Sequence, residues 1–262
     1  MGRELIKIVE LDASPEQVWL AIATGPGIST WFVPHQVEPG PGGAMSAQFG
    51  AGNDVTGRIL VWEPERRIVF GAAETPPEGT ADYAFEFLVE GRDGGGTVLR
   101  FVQSGFLDEG WEDEYSSLDT GWDLFFGNLR SYLTHFAGQP VHNVVTMAFV
   151  QGSGADAWKV LLPALGLTGR PEVGDTLTLR PDGPPPITGL VDVATNEFLG
   201  LRSASGLHRI GAEGDAGCGV SAFHYFYGDP VDTDALTTAW QSWLSALFPA
   251  PTPAENEPVV IT

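Results

Sequence analysis

Charged and apolar residues intermingle along residues 3–11 (Arg-Glu-Leu-Ile-Lys-Ile-Val-Glu-Leu), which read as a strand. Ser14-Pro15-Glu16 follows, where a serine can cap the free N–H groups of a helix and proline suits its first position. The predicted helix carries Val18, Trp19 and Ile22 on one face and stops at Gly25-Pro26-Gly27. Branched and aromatic residues then cluster in Val55–Trp62, Arg67–Ala72, Ala81–Val89 and Thr97–Gln103, separated by turn formers such as Glu63-Pro64-Glu65 and Asp93-Gly94-Gly95-Gly96. These are short strands joined as hairpins. Beyond them the period changes: Leu118, Trp122, Phe125, Phe126, Leu129 and Leu133 recur at helical spacing and predict a long closing helix.

The pattern then starts again. After Gly138-Gln139-Pro140 come a strand over His142–Val150, a helix over Ser153–Leu165, and strands near Thr176–Leu179, Ile187–Val193, Phe198–Ser203 and Gly219–Tyr227. A helix from about Thr233 to Phe248 closes the second half. Three landmarks recur in the same order: Ser14 with Val18-Trp19 and Ser153 with Ala157-Trp158; Val55-Thr56-Gly57 and Ile187-Thr188-Gly189; Thr120-Gly121-Trp122 and Thr238-Ala239-Trp240. The expected fold is therefore α+β, two tandem domains in which a curved antiparallel sheet wraps a long C-terminal helix. The expected boundaries are 1–138 and 139–249, with a proline-rich, disordered tail over 250–262.

Charge narrows the partners. Acidic residues outnumber basic ones 34 to 13, and Lys7 and Lys159 are the only lysines. Such a surface repels nucleic-acid phosphates and anionic lipid heads, which argues against DNA, RNA and membrane surfaces. Residues 1–11 hold no continuous apolar segment, so neither a signal peptide nor a membrane span is expected. A lone cysteine, Cys218, fits a reducing compartment, and the reading places the chain in the cytoplasm.

Four linked motifs carry a family resemblance. Ala13-Ser14-Pro15-Glu16-Gln17-Val18-Trp19, Thr30-Trp31-Phe32, Gly57 to Trp62 with Glu63-Pro64, and Gly121-Trp122 followed by Leu129 and Leu133 resemble the ATPase-activator homologue group of the SRPBCC (START-like) superfamily. That group is named for an activator of the ninety-kilodalton heat-shock protein. The resemblance covers residues 3–137; the second half resembles the superfamily through its architecture and landmarks. It implies a helix-grip fold with a cavity between sheet and long helix, used across the superfamily for lipids, hormones and polyketides. It carries over no catalytic residue.

Aromatic density marks where such a cavity would lie. Trp31, Phe32, Trp62, Phe85, Phe87, Phe101, Trp122 and Phe126 are candidate ligand-binding residues, set against the plain alternative that large rings on a sheet and helix face are core. Gln103 shares a strand face with Leu99 and Phe101, where its amide could orient a ligand. Glu86 and Arg100 are read as outer-face partners. In the second half, His224 alternates onto one face with Cys218 and Val220 and is the candidate for a second pocket. The acidic run Asp108–Glu114 reads as a solvated loop placed like a lid.

No metal site and no cofactor are expected, because the histidines lack short ligand spacing and one cysteine builds no cluster. Gly152-Ser153-Gly154-Ala155-Asp156-Ala157 fits a dinucleotide fingerprint between a strand and a helix, but an antiparallel meander follows it. The leading expectation is a binding protein for a small hydrophobic or aromatic molecule, without catalysis. Two alternatives stand beside it: a polyketide cyclase or aromatase, and a module that engages a chaperone or a second copy of itself.

Overall fold

The computed structural model describes residues 4–50, 52, 54–74, 82–106, 111–215 and 217–249, with backbone alone at 111–114, 116 and 117. Of the acidic run expected as a solvated loop, residues 108–110 lie outside the described residues, as does the tail from residue 250, whereas residues 111–114 are helical and open α3 instead of forming a loop. The first half runs β1 (Leu5–Leu11), α1 (Pro15–Ala23), α2 (Gly25–Ser29), β2 (His35–Val37), β3 (Ala44–Gln48), β4 (Asp54–Glu63), β5 (Arg67–Ala72), β6 (Ala84–Gly91), β7 (Thr97–Ser104) and α3 (Trp111–His135). Its strands form one antiparallel sheet in the order β1-β7-β6-β5-β4-β3-β2. The second half runs β8 (Val141–Gln151), α4 (Gly154–Ala164), β9 (Thr176–Leu179), β10 (Ile187–Ala194), β11 (Phe198–Arg202), β12 (Gly206–Glu213), β13 (Gly217–Tyr227) and α5 (Thr233–Leu247). Its sheet is antiparallel in the order β8-β13-β12-β11-β10-β9. These are two tandem helix-grip domains, the second lacking counterparts of α2 and β2.

Local chemistry explains the matching landmarks. The Ser14 Oγ accepts from the Gln17 amide at 3.3 Å while the Gln17 Oε1 accepts from the Ser14 amide at 3.0 Å, a reciprocal cap that starts α1. Ser153 caps α4 from one side only, accepting from the Asp156 amide at 3.2 Å. A Cβ on Gly57 would meet the Gly71 carbonyl oxygen at 2.6 Å, and one on Gly189 would meet the Arg202 oxygen at 2.7 Å. Both glycines thus admit the neighbouring strand's backbone. Two residues further on, β4 and β10 each carry an irregularity in register, between Ile59 and Val61 and between Val191 and Val193.

α3 closes the concave face of the first sheet through Trp122, Phe126 and Leu129, and Lys7 on the edge strand holds it by ion pairs to Asp119 at 2.8 Å and Asp123 at 2.7 Å. Its opposite face is buried too. Leu207, Phe223, Tyr225 and Tyr227, from the outer face of the second sheet, belong to the core of the first domain, and Tyr227 stacks on Phe136 at 4.3 Å. The second sheet is therefore covered on both sides. Its inner face packs on Trp158, Leu161, Trp240, Trp243 and Leu244 of α4 and α5.

Four elements depart from the sequence reading. Gly25-Pro26-Gly27 does not end the helical region: Thr24 caps a new turn, accepting from the Gly27 amide at 3.0 Å, and proline sits in its first turn. β2 and β3 form from a segment too rich in glycine and proline to show alternation. β12 shows none because it is buried on both faces, so the rule of one polar face fails for it. Glu86 pairs with Arg67 on β5, not with Arg100, which stands opposite Leu88 in the sheet register.

Candidate functional site

A cavity of about 340 Å³ lies between the β2 to β6 part of the first sheet, α2 and α3. Trp31, Phe32, Phe85, Phe87 and Trp122 line it, so five of the aromatic candidates meet at one space. The other three do not line it: Phe101 and Phe126 pack behind the wall, and Trp62 lies against α1. Phe101 packs behind Trp122 with ring centroids 4.2 Å apart, Phe126 stacks on Trp31 at 5.7 Å, and Trp62 meets Trp19 of α1 edge-on at 5.2 Å. Exposed Val55 and Thr56, also in the lining, place the mouth at the outer end of β4.

Both indole N–H groups near the cavity are engaged with the protein. The Trp31 Nε1 donates to the Ala21 carbonyl at 2.8 Å, and the Trp122 Nε1 donates to the Gln103 Oε1 at 2.7 Å. An indole only donates, so this bond fixes the orientation of the Gln103 amide. The Gln103 side chain is fully buried, as its strand face required, and its Nε2 has no hydrogen-bond partner among the described residues.

Sequence reasoning missed His35, Met45, Phe49 and Tyr83, which also line the cavity. His35 is the informative one. Its Nδ1 lies 2.7 Å from the Val33 carbonyl, so that nitrogen carries the proton and Nε2 is left as a bare acceptor. Burial pulls its pKa down to about 4, so the ring is neutral at pH 7. The ring packs on Phe32 at 5.4 Å. The available signal was its place three residues after Phe32, within a segment not recognised as a strand. Among the described residues, no aspartate, glutamate, lysine or arginine lines the cavity.

His224 is buried in the second domain's core. Its ring packs on Trp240 at 4.3 Å, and its Nδ1 faces the Nδ1 of His208 at 3.2 Å. Burial, His208 and Arg209 all hold it neutral. Among the described residues no group of three or more histidine, cysteine, aspartate or glutamate side chains could hold a metal ion. No helix among them is long and apolar enough to cross a membrane. Gly154 of the glycine-rich turn packs on the β12 backbone: its amide donates to the Gly214 carbonyl at 2.7 Å, and a Cβ there would meet the Ala212 oxygen at 2.5 Å. The first amide of the turn is thus already bonded to protein backbone.

Residues 12–134 match the family model described as Activator of Hsp90 ATPase homolog 1-like protein. The first domain belongs to this family. Similar folds among solved structures include protein MLL2253 from Mesorhizobium loti, 23% identical over 51% of this chain and 98% of that one, with a TM-score of 0.46. Two others run along both halves. DynU16, described as a putative protein in the dynemicin biosynthetic locus, is 17% identical over 93% of this chain and 98% of its own, TM-score 0.44. BexL, described as a di-domain ARO/CYC from the BE-7585A biosynthetic pathway, is 14% identical over 93% and 94%, TM-score 0.45. No curated protein matches the chain. Within the activator-homologue domain, the matched segment begins just before α1 and ends in the last turn of α3, so it contains the whole cavity wall.

Proposed function

We propose that the first domain encloses a small, uncharged aromatic molecule bearing a hydroxyl group, and that it does so in the cytoplasm without turning it over. The observation that carries this is the lining: aromatic faces on several sides, no charged side chain among the described residues, and one neutral imidazole with a bare Nε2. Burying a charged ligand there would leave its charge unpaired, at a cost of several kcal/mol. A neutral ring system is favoured instead. Removing on the order of 300 Å² of apolar ligand surface from water gains about 7 kcal/mol before association costs, which sets the affinity at micromolar or weaker. The His35 Nε2 would accept the ligand hydroxyl.

A second reading, a cyclase-type enzyme, rests on the same imidazole acting as a general base. With its pKa near 4, His35 is a weak base at neutral pH, which favours binding over proton abstraction. Titration of tryptophan fluorescence with 1-naphthol, naphthalene and 1-naphthoate tests the proposal. The naphthol should quench at about 10–100 µM, the hydrocarbon more weakly, and the carboxylate least. No quenching by any of the three, with retention of the chain on immobilised ninety-kilodalton heat-shock protein, would move the reading to a protein-interaction module. Consumption of a polyketide-like substrate, lost in His35→Gln, would move it to the enzyme.

A further inference from the structure

The helix α2 is five residues long, and the chain that leaves it forms the cavity wall: Trp31 and Phe32, then His35. The last carbonyls of a helix have no partner within it. Here Pro34 removes one following N–H, and the amide of His35 bonds instead to the Ser29 Oγ at 2.9 Å. The carbonyls of Ser29, Thr30 and Trp31 therefore need donors from elsewhere.

All three receive one from a side chain. Asn143 on β8 donates through Nδ2 to the Ser29 oxygen at 3.0 Å, and the Tyr227 hydroxyl on β13 donates to the Thr30 oxygen at 2.6 Å. Asn128 on α3 donates through Nδ2 to the Trp31 oxygen at 3.2 Å. The third donor is itself held by the second domain. Arg209 on β12 donates through Nε to the Asn128 Oδ1 at 2.7 Å, which fixes that amide so that its NH2 faces Trp31. Two further bonds to Asp192, at 2.8 and 2.9 Å, hold the guanidinium. Arg209 is 2% exposed, and a buried guanidinium keeps its place only with such a set of acceptors.

We infer that the second domain is the positioning element for the first domain's cavity, with Asn143, Tyr227 and Arg209 as positioning residues for Trp31 and Phe32. The consequence for ligand rests on the binding reading above; the consequence for the backbone does not. Two successive carbonyls held directly from across the domain boundary, and a third held through Asn128 by Arg209, set the depth and tilt of the aromatic wall. The second domain thus offers a surface to the first, while Trp240 packs on His224 in its own core.

The test uses the full chain carrying Tyr227→Phe with Asn143→Leu, which removes two donors while keeping the stack on Phe136. Gln241→Ala serves as control, because its bond to the Met147 carbonyl at 3.0 Å lies within the second domain, away from the clamp. Hydrogen exchange followed by mass spectrometry should show residues 29–37 exchanging at least tenfold faster in the double variant and unchanged in the control. Affinity for 1-naphthol should fall about tenfold in the double variant alone. Unchanged exchange of residues 29–37 in a folded double variant overturns the inference, as does equal loosening in the control. A wild type that fails to bind 1-naphthol removes the ligand reading only, and exchange still decides this one.

Discussion

The Nδ1 atoms of His208 and His224 face one another at 3.2 Å inside the second domain, and the order of hydrogen bonds around them assigns the protons. The Ser203 hydroxyl donates to the Gly206 carbonyl, so its oxygen accepts from the His208 Nε2 at 3.1 Å. The His208 Nδ1 is then bare and accepts from the His224 Nδ1, which leaves the buried His224 Nε2 unpartnered beside Trp240. An added proton has no acceptor there and sits near the Arg209 charge.

Acid should therefore loosen this domain. Burial and Arg209 lower the His208 pKa to about 3, and burial, His208 and Arg209 push His224 well below 6.5. The unfolded chain takes up protons below about pH 6.5 and the folded chain does not, so this stability is complete above 6.5 and declines as pH falls below it. In His224→Phe the decline below about pH 6.5 should be shallower than in the wild type, because one of the two groups that take up protons only on unfolding is gone. Urea unfolding of wild type and variant at pH 7, 6 and 5 measures it; parallel curves would show that His224 titrates alike in both states.

The Trp122 to Gln103 bond yields a second prediction. Removing one partner leaves the other buried and unsatisfied, whereas replacing both with apolar groups leaves nothing unsatisfied. Trp122→Phe and Gln103→Leu should each destabilise by about 2 kcal/mol, and the double variant by about 1–2 kcal/mol less than their sum. A double-mutant cycle from denaturant unfolding gives the coupling. Additive losses would mean that the two side chains act separately.

What the sequence made legible follows from where its one-face rules apply. Ser14 and Ser153 cap, Gly57 and Gly189 admit a neighbouring strand, and Trp122 turns toward its sheet; each is dictated within its own domain. The same rules failed on β12 and on the outer side of α3, because a second domain covers what would otherwise face water. Arg209 reads in sequence as one more surface charge, and only the fold places Asp192 and Asn128 around it. His35 was missed for a related reason: its strand is three residues long, too short to display a period.

Glu213 should respond to pH in the opposite sense to the histidines. Burial and the nearby Glu197 raise its pKa to about 7. Between the ordinary carboxyl value and about 7 the folded chain holds a proton that the unfolded chain has released, so stability falls as pH rises through that window and is level above it. Glu213→Gln should raise stability at pH 8 by on the order of 1 kcal/mol, after allowing for solvent screening, with no gain at pH 4. Thermal melts at both values decide; an equal gain at both would point to packing instead of charge.

Glycine to alanine should change sign between two helices. Alanine is the better helix former by about 0.8–1 kcal/mol. At Gly127 in α3 an added Cβ meets nothing within 4 Å, so Gly127→Ala should stabilise by several tenths of a kcal/mol or more. At Gly154 it would meet the Ala212 carbonyl oxygen at 2.5 Å, and a backbone atom in a paired strand cannot give way cheaply. Overpacking there should outweigh the propensity gain and leave Gly154→Ala destabilised by about 1–3 kcal/mol. If Gly154→Ala instead matched Gly127→Ala in urea unfolding, the close approach of α4 to β12 would not explain this glycine, and the nucleotide fingerprint at residues 152–157 would have to be reconsidered.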